Sequence, residues 1–389
     1  MPAPRGRDLE FTRRRLTDWL AARLPQADSL RMSELTGPGA TGFSSDTLMF
    51  DLDYREGGHA VHRPLVVRIQ PTGFQVFPEY DLGLQFGIQQ ALAPTDVPTA
   101  RMLWREEEAG VLDAPFYVME RVEGRIPTDN PPYHMGGWIT EIQPEERASI
   151  WWSGLEVLAR IHRLDWRALG LGFLDPEAER SSEKQGREAP AQRGEAERSS
   201  KERDATLLEQ HLDYYSAFLA WAWDEKPHPT CTPALEWLYQ NRPRDPEPVT
   251  LCWGDARIGN MVFRDHRCVA VLDWEIARLG SPEEDLAWWL FLDRHHSEGV
   301  GVPRLAGFPS REETIARYEE WSGHRVRHLD YYERFAAMRF SVIMARLSKQ
   351  MQAYGVLPPD SDFGVTNPCS RLLTILLDLP DPASPERAP

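Results

Sequence analysis

A chain of 389 residues exceeds what one hydrophobic core usually organises, so two lobes or domains are expected rather than one pair of layers. Hydrophobic residues at 41% and charged residues at 27% are ordinary for a folded, water-soluble protein and exclude global disorder. Forty-four Lys and Arg against sixty Asp and Glu leave a formal charge of -16, which disfavours nucleic acid and anionic membrane as partners.

The N-terminal "MPAPRGRDLEFTRRRL" has no apolar run of signal-peptide length, and no stretch of the chain approaches the roughly 20 apolar residues of a membrane span. Cys231, Cys252, Cys268 and Cys369 are scattered without a CxxC pair. Neither a zinc site nor a disulfide framework is suggested, and a cytoplasmic location is expected.

In residues 1–32, Leu9, Leu16, Trp19, Leu20 and Leu24 recur at helical spacing and predict an amphipathic opening helix that packs on a lobe. "MSELTGPGATGFSSDTLMFDLDY" then reads as strand, Gly-rich turn and strand, and "RPLVVRIQP" as a third strand closed by Pro71. A helix is predicted over Glu79 to Leu92, and "VPTARMLWRE" and "APFYVMERVEG" supply two strands before the chain leaves the sheet at Gly124. Residues 33–124 thus form a small antiparallel lobe of order β-β-β-α-β-β. Residues 125–378 read as mainly helical, from "PEERASIWWSGLEVLARIHRL" onward, with short strands only near one polar motif. The expected fold class is α+β in two lobes.

Within the second lobe, residues 175–204 contain no Val, Ile, Leu, Met or aromatic residue, and "AERSS" occurs in them twice. Such a stretch cannot bury apolar surface and is predicted to be a disordered or loosely helical insertion without function. The Pro-rich tail 379–389 is expected to be disordered as well.

The chemistry concentrates in "LCWGDARIGNMVF" and "VAVLDWEIARLG". Two short apolar strands, each delivering an acid at its end, lie about a dozen residues apart, which is hairpin spacing. Asp255, then Asn260 five positions later, then Asp273 after an apolar strand is the arrangement used to transfer a phosphoryl group from ATP. Asp255 would orient the attacking hydroxyl and accept its proton, while Asn260 and Asp273 offer the hard oxygens that suit Mg2+. Arg257 is placed to neutralise the γ-phosphoryl charge.

"WGDARIGNMVF", "VLDWE" and "EEDLAWW" together resemble the aminoglycoside-phosphotransferase family of small-molecule kinases, from about Ser33 to Ser348. The sequence is most similar to the branch that includes domains joined to acyl-CoA dehydrogenases. The resemblance implies a protein-kinase-like fold and ATP and Mg2+ as cofactors. Asp255 matches the family's catalytic Asp, Asn260 and Asp273 its metal ligands, and Asp285 an acid that supports the catalytic loop. It further implies phosphate contacts from Gly37, Gly39, Thr41, Gly42, Ser44 and Ser45, and from Arg68 on the third strand. Met119, Glu120 and Val122 fall at the hinge that would hold adenine.

Two positions depart from the family. Gln85 stands where the strand cation's Glu partner belongs, leaving Glu79 and Asp81 as substitutes, and Trp253 stands where His is usual. An indole donates one hydrogen bond and accepts none, so the loop is expected to be packed into place. These departures motivate an alternative class, a nucleotide-binding scaffold without turnover. A third reading keeps the fold but transfers a nucleotidyl group.

His162 reads as a satisfied core histidine on an apolar helix face. His295 and His296 are adjacent and should point to different helix faces, which argues against a shared metal. Trp288 and Trp289 read as core, and Glu275 as either a second metal ligand or a brace. The acceptor is a small-molecule alcohol. Aromatics from Tyr214 to Trp223 and from Tyr331 to Phe340 favour a weakly polar one over a polycationic aminoglycoside, although core packing explains them equally, and the resemblance to acyl-CoA-dehydrogenase-linked domains implies a hydroxyacyl thioester.

Overall fold

The computed structural model describes residues 7–37, 46–175, 206–245 and 248–380. Asp8 caps helix α1 (Leu9–Arg23) by accepting the Phe11 amide at 2.9 Å. Leu16, Trp19 and Leu20 of α1 are buried against a five-stranded antiparallel sheet. Its strands are β1 (Ala27–Met32), β2 (Asp46–Glu56), β3 (His59–Ile69), β4 (Met102–Glu106) and β5 (Phe116–Glu120), in the order β1-β2-β3-β5-β4. Helix α2 (Leu82–Leu92) lies between β3 and β4 in the chain.

The sheet begins earlier than the sequence suggests. β1 falls inside residues 1–32, so the opening helix and the first strand share one core with the rest of the lobe. An edge strand paired on one side carries polar residues outward, and "ADSLRM" lacks the alternation that marks a half-buried strand.

β3 sets the polarity of the lobe. Its alternating side chains send Leu65, Val67 and Ile69 toward α1, and Val66 and Arg68 to the opposite face, where Tyr117 and Met119 of β5 stand directly across from Arg68 and Val66. That opposite face looks onto the second lobe.

The second lobe is helical. It comprises α3 (Trp138–Glu141), α4 (Pro144–His162), α5 (Leu207–Ala222), α6 (Cys231–Asn241), α7 (Glu283–Arg294), α8 (Arg311–Ser322), α9 (Leu329–Ala353) and α10 (Pro368–Leu377), packed around one core. α4 starts at Pro144 with a capping box between Gln143 and Glu146. No helix among the described residues is long and apolar enough to cross a membrane.

The strands of the polar motif do not pair as their spacing suggests. β6 (Thr250–Cys252), which leads to Asp255, pairs with β9 (Arg278–Gly280), while β7 (Met261–Arg264) pairs with β8 (Arg267–Val271), which leads to Asp273. The loop itself contains a 3-10 turn, Ile258–Asn260, and then opens a hairpin of its own. Asp265 and His266, at φ of 49° and 61°, form the two-residue turn that such a hairpin requires.

The β3–α2 connection fastens the lobes together. Arg346 Nε of α9 donates to the Gln75 carbonyl at 2.9 Å, the Phe74 amide donates to the Tyr354 hydroxyl at 3.3 Å, and Val76 and Phe77 enter the helical core.

Trp19 closes the first lobe by packing 4.7 Å from the Phe116 ring and donating Nε1–H to Glu106 at 2.7 Å. Trp19→Ala is expected to cost about 3 to 5 kcal/mol in urea denaturation, the range for deleting a large buried aromatic. A loss below about 1 kcal/mol would show that α1 is not part of the lobe's core.

Candidate active site

The loop between β6 and β7 is fixed by its backbone. Asp285, fully buried in the first turn of α7, accepts the Trp253 amide at 2.6 Å on Oδ2 and the Gly254 amide at 2.8 Å on Oδ1. His162 Nε2 lies 3.2 Å from the same Oδ2, and His162 Nδ1 lies 2.6 Å from the Tyr318 hydroxyl. His162 is thus a partnered core residue.

His162, Asp285 and Cys252 cluster closely enough to suggest a metal. The Asp285 oxygens instead serve backbone amides, and burial pushes the Cys252 thiol pKa well above its usual range, away from the thiolate a metal needs.

Gly254 is required here. Its φ is +90°, and a Cβ would come 2.2 Å from the Ile276 carbonyl oxygen. Arg339, buried in α9, donates to the Gly254 carbonyl at 3.0 Å. Trp253, also buried, donates Nε1–H to the carbonyls of Leu272 at 2.8 Å and Asp273 at 3.2 Å. Its one donor therefore ties the Asp255 loop to the segment carrying Asp273, and packing holds the rest.

Asp255 sits at the centre. Trp288 Nε1–H donates to its Oδ1 at 2.7 Å, Asn260 Nδ2 to its Oδ2 at 2.6 Å, and Arg257 Nε to both oxygens at 3.0 and 3.2 Å. Arg257 Nη1 also donates to Asp129 Oδ2 at 2.5 Å. Burial opposes the Arg257 charge, but Asp129 and Asp255 outweigh it and raise its pKa; burial likewise opposes the Asp129 charge, and Arg257 with His296 lowers that carboxyl. Gly259 leaves room for this pair, since a Cβ there would meet Arg257 Nη1 at 2.4 Å and Asp129 Oδ1 at 2.6 Å.

Asn260 and Asp273 are neighbours because the Leu272 amide donates to the Asn260 carbonyl at 2.9 Å. Arg68 reaches them from β3 and donates to Asp273 Oδ1 at 2.7 Å and Glu275 Oε2 at 3.4 Å. Burial opposes the Arg68 charge, and Asp273, Tyr117 and Glu275 together hold it firmly in place. Gln85 accepts the Tyr117 hydroxyl at 3.2 Å, so carboxylates of the second lobe, rather than a residue of α2, pair with Arg68.

At the hinge, Met119 is buried in a small cluster with Val66 and Tyr117, and Val122 packs against it. The Glu120 amide donates to the Arg101 carbonyl at 2.9 Å, so of that residue's backbone only the carbonyl can face an adenine amino group. Gly37 is exposed; Gly39, Thr41, Gly42, Ser44 and Ser45, and the 175–204 insertion after Asp175, lie outside the described residues.

Sequence reasoning missed two contributors, Trp288 and Asp129. Trp288, read as core, hydrogen-bonds Asp255, and Asp129 lies in a loop with no periodicity to mark it. His295 and His296 lie on a π-helical turn, His295–Gly299, that extends α7. In that wider turn their rings lie 5.3 Å apart, and His296 Nε2 reaches within 3.8 Å of Asp129. Most aromatics of α5 and α9 are core, Tyr215, Phe218, Tyr332 and Phe335 among them; Phe340 instead lies against Trp288 and His295.

The sheet-and-helix lobes, with these side chains between them, define a small-molecule-kinase fold. The chain resembles a Ralstonia eutropha protein of the aminoglycoside-phosphotransferase type, with a TM-score of 0.62 and 22% identity over 93% of this chain and 95% of that one. It also resembles choline kinase LicA of Streptococcus pneumoniae, with a TM-score of 0.51 and 14% identity over 94% and 99%. The model of the phosphotransferase enzyme family matches residues 47–327, and the chain belongs to that family. Among curated proteins it is 29% identical over 261 residues to mouse acyl-CoA dehydrogenase family member 11, covering 65% of this chain and 29% of that protein. It is 28% identical to mouse acyl-CoA dehydrogenase family member 10, covering 58% and 18%. The chain thus spans less than a third of these relatives' length.

Burial, helped by His296 and Arg257, holds the pKa of His295 at about 3, and burial, helped by Arg257 against the opposing pull of Asp129, holds that of His296 at about 4, both below the ordinary 6.5. Unfolding frees both rings to take up protons near that ordinary value, so the stability they permit is full above pH 6.5 and falls as pH drops toward 4. Denaturation between pH 7 and 4 should show a shallower loss in a His295→Leu, His296→Leu double variant. An unchanged slope would show that the rings do not titrate abnormally.

Proposed function

We propose that this protein transfers the γ-phosphoryl group of ATP to a hydroxyl of a small molecule, with Mg2+ held by Asn260 and Asp273. The observation that carries this reading is the convergence of Trp288, Asn260 and Arg257 on Asp255 beside the Arg68–Asp273 pair. The donor set fits the ion. Asn260 turns its amide nitrogen to Asp255, which leaves its Oδ1 as an oxygen ligand, and Asp273 adds a carboxylate, the hard donors Mg2+ prefers. When bound, the ion supplies neutralisation of phosphate charge.

The chain's own residues do the rest. Trp288 and Asn260 each hold one oxygen of Asp255, so the carboxylate keeps a single orientation in which it accepts the acceptor's hydroxyl proton. Arg257 steadies that carboxylate and offers its guanidinium to charge developing on the transferred group. Arg68 and the Gly37 to Ser45 segment grip phosphates, and Met119, Glu120 and Val122 border adenine. Positioning and fixed electrostatics account for most of the rate.

The acceptor is an alcohol in the reducing cytosol, where the free cysteines are at home. A hydroxyacyl thioester is the first candidate, given the acyl-CoA-dehydrogenase names of the similar proteins; aminoglycosides and other alcohols are the rest of the panel. One observation favours a second reading, a nucleotide-binding scaffold: Gln85 is committed to Tyr117, so α2 gives Arg68 no carboxylate partner.

An ATP-consumption screen over hydroxyacyl thioesters, aminoglycosides and amino alcohols separates the two. Asp255→Asn should lower kcat on the best acceptor by roughly 10²–10⁴. Arg257→Ala should lower kcat by roughly 10²–10³ while the KM for ATP changes by less than about twofold. Mg2+-dependent ATP binding with no consumption on any acceptor would establish the scaffold instead.

A further inference from the structure

A buried cation lies behind Trp288. Arg339 of α9 is 1% exposed, and its hydrogen bonds go to neutral oxygens: Nε donates to the Tyr215 hydroxyl at 3.1 Å and Nη2 to the Gly254 carbonyl at 3.0 Å. It forms no ion pair among the described residues, and the neighbouring carboxylate of Glu284 is already bonded to Arg278 and His211. Charged side chains are almost never fully buried without a paired charge. Arg339 has aromatic rings in place of one: its Cζ lies 4.4 Å from the centroid of the Trp288 ring, 5.3 Å from that of Tyr215 and 5.6 Å from that of Phe335.

Trp288 is the nearest of the three, and its Nε1–H donates to Asp255 Oδ1 at 2.7 Å. That carboxylate has no cation to itself. Asp255 and Asp129 share the guanidinium of Arg257, Asp129 Oδ1 has no hydrogen-bond partner among the described residues, and Arg68 is held by Asp273 and Glu275. Two carboxylates to one cation leave this end of the site short of positive charge.

A cation on the face of an indole attracts the ring's electrons away from the edge, so the edge N–H becomes a stronger donor. In the low dielectric of a buried site this effect is weakly screened. The guanidinium is kept on the ring by its bonds to Tyr215 and Gly254, both made from one planar fork that an ammonium cannot reproduce.

We infer that Arg339 is a positioning residue for the transfer reaction and acts through Trp288: its charge strengthens the indole N–H bond that orients the Asp255 carboxylate. The consequence for turnover rests on the phosphotransferase reading, whereas the coupling between the two side chains does not.

Two substitutions separate charge from bracing. Arg339→Gln removes the charge and keeps amide donors for the Gly254 carbonyl, and Arg339→Lys keeps the charge. In magnetic resonance spectra of the full chain, with heavy nitrogen in its indoles, the Trp288 N–H is assigned by its loss in Trp288→Phe. That resonance should move upfield in Arg339→Gln, as a weakened hydrogen bond does, and lie nearer its wild-type position in Arg339→Lys. If Arg339→Gln does not fold, Tyr215→Phe decides: removing one of the two bonds that hold the guanidinium should move the same resonance upfield by a smaller amount. On the alcohol selected by the ATP-consumption screen, Arg339→Gln should lower kcat roughly tenfold and leave the KM for ATP unchanged. In a Trp288→Phe background the same substitution should lower kcat less than about threefold, because the route is already cut.

Three results overturn the inference. They are an unmoved Trp288 resonance in folded Arg339→Gln or, failing that variant, in Tyr215→Phe; a resonance displaced as far by Arg339→Lys as by Arg339→Gln, as expected of a residue that only braces the loop; and an equal loss of kcat with and without Trp288. The resonance is read without turnover, so its movement in a protein that consumes no ATP on any acceptor defeats the phosphotransferase reading alone. Transfer to an alcohol with the resonance unmoved defeats this inference alone.

Discussion

The carboxylate of Asp285 takes two consecutive backbone amides, those of Trp253 and Gly254, and so decides where the next residue, Asp255, points. The arrangement is closed on every side. His162 and Tyr318 back the carboxylate, the N-terminus of α7 favours its charge, Arg339 holds the Gly254 carbonyl, and the Ile276 carbonyl crowds the place where any side chain at 254 would lie. A buried carboxylate stripped of those partners would be left uncompensated, so the parts stand or fall together.

α7 and its π-helical extension carry this order outward. Asp285 anchors the loop, Trp288 one turn later orients Asp255, and His295 and His296 about two turns further on border Asp129. One element therefore sets the loop backbone, the orientation of the Asp255 carboxylate and the surroundings of Asp129. From the first lobe, β3 adds Arg68 because strand alternation turns it toward the second lobe, and the linker bonded to Arg346 and Tyr354 limits how far that cation can drift. Trp253 plays a part in the same economy of contacts: an indole supplies the one donor that ties Asp273's segment to the loop.

Much of this was legible in the sequence, and the legible parts share a cause. Apolar periodicity exposed α1, β2, β3, α2, β5 and α4, and fixed spacing exposed Asp255, Asn260 and Asp273, because both are local. β1 escaped notice since a polar edge strand has no alternation to show. The pairing of β6 with β9 escaped for another reason: hairpin spacing cannot reveal that the intervening loop makes a hairpin of its own. Asp129 meets Arg257 across 128 positions of chain, which no pattern records. The π-helical turn that carries His295 and His296 has no pattern of its own in the sequence.

The central claim is that Asp255 serves γ-phosphoryl transfer to an alcohol, and the most direct measurement follows the atoms. ATP carrying heavy oxygen on the γ-phosphoryl group is incubated with the protein, Mg2+ and an accepted alcohol, and the products are weighed by mass spectrometry. The account predicts ADP and an alcohol phosphate that retains the labelled oxygens. An alcohol carrying a nucleotidyl group, or labelled inorganic phosphate with the alcohol unmodified, would contradict it.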